Sequence, residues 1–117
     1  MSAKPRHSGL PVGRWRITDM DKWDADVLDL VVPAFIEFQR DGTGSFRCIA
    51  VEGWIDYRVS DEEERARVES TWEGNDECDP GSGRGWAIME NDGSMVGHIF
   101  LHLGEDSAFQ AVRLKDA

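Results

Sequence analysis

The chain has 117 residues, the length of one domain, and its 23 acidic residues against 13 lysines and arginines leave a formal charge of −10. With 40% hydrophobic and 31% charged residues it has the makings of a soluble core, which excludes a disordered acidic tail. Its charge opposes a phosphate backbone and no apolar run approaches the roughly 18 residues of a spanning helix, so neither nucleic acid nor membrane is an expected partner.

Residues 1–11, MSAKPRHSGLP, show no periodicity and are read as a mobile arm ahead of a single domain over residues 12–117. They contain no apolar stretch of the kind that directs secretion. Nothing in the sequence brings Cys48 and Cys78 into bonding range, so both are read as free thiols and the expected compartment is the cytoplasm.

GRWRIT alternates, with Trp15 and Ile17 on one side and Arg14 and Arg16 on the other, as in a half-buried strand. Met20, Trp23, Val27 and Leu30 then recur at helical spacing, which predicts a short helix ending near Leu30 or Val31, ahead of Pro33, with Trp23, Val27 and Leu30 turned inward. AFIEFQR and SFRCIAVEGWIDYRV form a hairpin across DGTG. The second of these segments changes apolar parity after Cys48, which a bulge near Ile49 and Ala50 would explain. ARVESTWEG is a strand, NDECDPGSGRG reads as the longest loop, GWAIMEN and SMVGHIFLHL form a second hairpin, and SAFQAVRL closes the chain. The fold expected is mainly β: a seven-to-eight-stranded antiparallel meander closing into a small barrel, with one short helix between strands 1 and 2.

GRWRI resembles the glycine, any residue, tryptophan motif that opens the first strand of lipocalins and fatty-acid-binding proteins, calycin-like up-and-down barrels. The resemblance implies a structural role for Trp15, closing the bottom of the barrel. Over a wider span, GRWRITDMDKWDADVLDLVVPAFIEF, DGTGSF, VESTWEGNDE with SGRGW, and GHIFLHLGEDSAF are similar to a group of small bacterial proteins of uncharacterised function. That likeness implies a compact bacterial single domain.

His98 and His102 have the spacing of a helical metal pair, but GHIFLHL reads as strand, which sets them about 13 Å apart and unable to share one ion. His98, Phe100 and His102 instead form a stripe opposite Met95, Ile99, Leu101 and Leu103. Trp54 is out of phase with Val51 and Ile55, and Trp86 with Ala87 and Met89, so they join the stripe as a candidate binding surface, while Trp15, Trp23 and Trp72 fall on core faces. The acids Glu73, Asp76, Glu77 and Asp79 lack the spacing of a calcium loop, and SGRG lacks the lysine of a phosphate loop. Ser107 beside Glu105 and Asp106, with His98 nearby, does not make a triad without tertiary geometry. No catalytic residue, metal or cofactor is expected.

The leading expectation is a non-enzymatic acidic interaction module that binds a protein partner or its own copy. It calls for an exposed Trp54 or Trp86 and no sizeable internal cavity. The alternative is a small-molecule-binding barrel with Trp23, Phe38, Trp72 and Leu101 as cavity or lid, and filling of the interior by large side chains is expected. Mimicry of nucleic acid is a remote third option, resting on charge alone.

Overall fold

The computed structural model describes residues 11–62 and 65–114; the arm read over residues 1–11 lies outside them except for Pro11, as do residues 63 and 64 of the DEEER turn. The strands are β1 (Gly13–Met20), β2 (Phe35–Phe38), β3 (Thr43–Cys48), β4 (Val51–Glu62), β5 (Arg65–Asp76), β6 (Asp79–Met89), β7 (Met95–Leu101) and β8 (Asp106–Arg113), with α1 (Ala25–Leu28) between β1 and β2. Each strand pairs antiparallel with the next, and β8 returns to β1 to close the barrel. The expected mainly β meander with one early helix is the observed architecture.

Inward positions follow the period of two. Trp15, Ile17, Ile36, Phe38, Phe46, Ile55, Val68, Trp72, Met95, Ile99 and Phe109 are all buried. Phe46 packs edge-on against Trp72 with centroids 5.0 Å apart, and Phe38 against Tyr57 at 4.9 Å. This packing leaves only about 10 Å³ of space at the barrel centre. Toward the Gly13 end, Trp15 is fully buried, its Nε1 donates to the Pro11 carbonyl at 2.9 Å, and the Arg113 guanidinium lies 4.3 Å from its ring centroid.

The change of parity after Cys48 comes from a turn and not from the expected bulge. β3 ends at Cys48 and β4 starts at Val51, the two residues face each other across the ladder, and Ile49 takes a left-handed φ of 57°. A β-branched side chain pays a steric cost there. Two hydrogen bonds offset it, from Ile49 N–H to the Leu28 carbonyl at 2.8 Å and from Glu77 N–H to the Ala50 carbonyl at 3.2 Å. An irregularity does occur in β1, between Ile17 and Asp19, and it keeps Met20 facing inward.

The expected helix is a single turn. β1 runs on to Met20, so Met20 is a strand residue, and the residue that α1 buries is Leu28 at 2% exposure, whereas Val27 and Leu30 are 39% and 59% exposed. One turn offers one inward position, which is why a face of three was not realised. NDECDPGSGRG, expected as a loop, is a hairpin: Asp76 pairs with Asp79, and Glu77 and Cys78 take left-handed φ values of 55° and 78° to turn the chain. Its inward positions include Gly81, Gly83 and Gly85, so the strands carry no apolar alternation to read.

Candidate functional site

Beyond the filled centre, the barrel end nearest α1 holds a cavity of about 210 Å³, partly open to solvent at its rim. Trp23, Phe46, Ile49, Val51, Ile99 and Leu101 supply apolar walls, with Met20 and Cys48 between them, and the carboxylates Asp76 and Glu105 line the same space. Asp76 shares the inward parity of Trp72 and is half-buried, while Glu105 is exposed and stands 3.6 Å from Lys22 Nζ. Among the described lining residues there is no lysine, arginine or histidine.

The connection from β1 to α1, which carries Trp23, is clipped to β8. Ser107, 1% exposed, donates its hydroxyl to Asp21 Oδ1 at 2.6 Å; Ala108 N–H donates to the same oxygen at 3.0 Å, and Lys22 N–H donates to Ser107 Oγ at 3.2 Å. The Ser107 hydrogen bond, helped by Ala108 N–H, holds the Asp21 carboxyl below its ordinary range. The Ser107 hydroxyl thus engages the Asp21 carboxylate, while His98 pairs with Asp106. Burial, with the Asp76 carboxylate adding to it, pushes the Cys48 thiol up to about 12, so it stays protonated and unreactive.

The outer wall holds a second arrangement. Trp86 stacks on His98 with centroids 6.3 Å apart, and His98 lies against Phe100 at 4.5 Å. His98 Nε2 is 2.5 Å from Asp106 Oδ2. Arg67 and Arg84 place guanidinium groups 5.0 Å and 4.1 Å from the Trp86 and Phe100 centroids. All three rings are half-buried by these neighbours.

Of the expected surface set, then, Trp86, His98 and Phe100 come together. Trp54, 51% exposed, and His102 instead border a separate open groove with Thr43, Ser45, Thr71 and Glu73. Of the expected cavity set, Trp23 and Leu101 line the cavity; Phe38 and Trp72 do not: both belong to the packed centre, where Trp72 Nε1 donates to the Phe100 carbonyl at 3.2 Å, and Trp72 also reaches the groove beside Trp54. Met20, Phe46, Cys48, Ile49, Val51, Asp76, Ile99 and Glu105 were not foreseen as lining residues. For Asp76 a signal existed, because its parity with Val68 and Trp72 places it inside once β5 is extended. Among the described residues no group of three or more His, Cys, Asp or Glu is placed to hold a metal ion, and no helix is long and apolar enough to cross a membrane.

No protein-family model, curated protein or solved structure matches the chain.

Proposed function

We propose that the protein is a small-molecule-binding barrel, non-catalytic, whose ligand sits at the α1 end with the Trp23 connection and α1 as its cover. The observation that carries this proposal is the 210 Å³ cavity with apolar walls and two carboxylates beside an otherwise packed interior. An apolar cavity on the order of 150 Å³ accommodates benzene, so the space here suits a single ring with a short chain. The strained Ile49 in its wall supports a site, because a left-handed β-branched residue persists only where its surroundings hold it. Protein binding, the leading expectation from the sequence, becomes the second reading.

A titration with toluene followed by methyl NMR tests it. Shifts at Ile49, Val51, Ile99 and Leu101, with Ile36 and Val68 unmoved, are expected, and Val51→Phe, which fills the space, should abolish them. If no single-ring compound moves those methyls, the proposal falls.

A second reading, docking of a protein partner on the outer wall, is favoured by the 51% exposure of Trp54 beside its groove. Nucleic acid is a poor partner on either reading. Arg14, Arg16 and Arg65 each lie within 4 Å of a carboxylate, on Glu37, Asp29 and Glu90. Two unbridged cysteines, Cys48 buried and Cys78 exposed, suit a reducing cytoplasm.

A further inference from the structure

We infer that the ligand of the α1-end cavity is a small, mostly apolar molecule carrying one positive charge, an ammonium for which Asp76 is the counter-ion; this rests on the cavity being a binding site. Apolar walls select for a hydrocarbon body, and by themselves they say nothing about charge. The charged groups supply that. Both ionisable oxygen-bearing side chains on the lining are carboxylates, and the lining includes no described cation.

The two carboxylates are not equivalent. Glu105 is exposed at the rim with Lys22 Nζ 3.6 Å away, so its charge is already balanced in part. Asp76 is half-buried on the inward face, at the end of β5, and its ladder partners Val51 and Asp79 bring it no cation. Its field reaches inward, adding to the burial that keeps the Cys48 thiol protonated. A bound ammonium would meet a carboxylate already in place, with the body of the ligand against Phe46, Ile99 and Leu101. Trp23 lines the same space, and the face of an indole attracts a cation. An anion would meet Asp76 and Glu105 as like charges in a partly dewatered pocket. The formal charge of −10 favours arrival of a cation in the same sense.

The test is a set of three probes of matched size, phenethylammonium, phenethyl alcohol and phenylacetate, titrated into the intact protein by calorimetry with methyl NMR to locate them. Phenethylammonium should bind about tenfold more tightly than the alcohol, phenylacetate more weakly than either, with shifts at Ile99 and Leu101. Asp76→Asn should bring the ammonium down to the affinity of the alcohol and leave the alcohol unchanged, whereas Glu105→Gln should alter both little. Equal binding of ammonium and alcohol, or tighter binding of phenylacetate, overturns the inference while leaving the cavity as a binding site. Failure of all three to bind removes the cavity itself as a site, and the inference with it. The probe series on the unaltered protein decides the matter even if Asp76→Asn does not fold.

Discussion

Asp29, just after α1, holds three donors at once. The Arg16 guanidinium gives it two parallel hydrogen bonds, 2.9 and 2.7 Å long, and Ala34 N–H a third at 2.9 Å, so one carboxylate ties β1, the end of the helical turn and the start of β2. The Arg16 contact, with Ala34 N–H helping, lowers its pKa from the ordinary 3.8 to about 2. Because the folded value is the lower one, the stabilisation is present above about pH 4 and is lost as pH falls through about 2. Roughly a third of each side chain is exposed, 31% and 32%, so water screens the pair and about 1 kcal/mol is a fair expectation. Urea unfolding of Asp29→Asn against the parent should show that loss at pH 7 and a gap that closes between pH 4 and pH 2; a gap of constant size would mean the charge is not what matters. Sequence spacing does not reveal this pairing, since Arg16 and Asp29 are 13 residues apart on elements of different kind. The outward phase of Trp54, by contrast, was legible from Val51 and Ile55 alone.

At the scale of elements, the readable strands were those with bulky inward residues, and the misread ones were those with glycine there. β6 shows why glycine is needed. A Cβ on Gly83 would stand 1.8 Å from the Phe100 carbonyl oxygen and 2.8 Å from Trp72 Nε1, so β6 and β7 approach more closely than any side chain permits. On Gly81, two residues earlier, a Cβ would meet only ring carbons of Trp72, the nearest at 3.7 Å. Gly83→Ala should therefore cost about 3 kcal/mol, since backbone has to move, and Gly81→Ala less than about 1 kcal/mol. Thermal unfolding followed by circular dichroism measures both, and similar midpoints for the two variants would refute the close approach. The helix was misread for a related reason. Met20 is inward through strand geometry and an irregular β1, so a spacing of three from Met20 to Trp23 mixes two elements and mimics one helical face. The turn at Ile49 and Ala50 escaped notice because it contains none of the glycine, asparagine or aspartate that ordinarily marks such a turn.

For the molecule as a whole, the spacing of turns and the absence of long crossovers pointed to a closed meander, and those are long-range consequences of local signals. The cavity was not legible, because it depends on which wall residues stop short at one end of the barrel. Self-association can be judged at this scale too. The net charge of −10 opposes it, and the Trp86, His98 and Phe100 ladder is sheathed by Arg67 and Arg84, so sedimentation at moderate salt should find a monomer. A dimer that Trp86→Ala or Trp54→Ala dissolves without unfolding would instead bring the outer wall forward as the functional surface.

Closure of the ring has a topological consequence. β1 and β8 lie side by side, with Arg16 opposite Val112, Leu114 N–H bonded to the Arg14 carbonyl at 2.9 Å and Arg113 reaching the Val12 carbonyl at 2.7 Å. The order of strands around the circle is thus independent of where the polypeptide is opened. A permuted chain, joined across β8 and β1 and cut at the exposed Asp92–Gly93 turn, preserves all eight strand pairings and keeps the cavity walls in their places. What it would alter is the sequence separation of the contacts, and with it the order in which the barrel closes during folding.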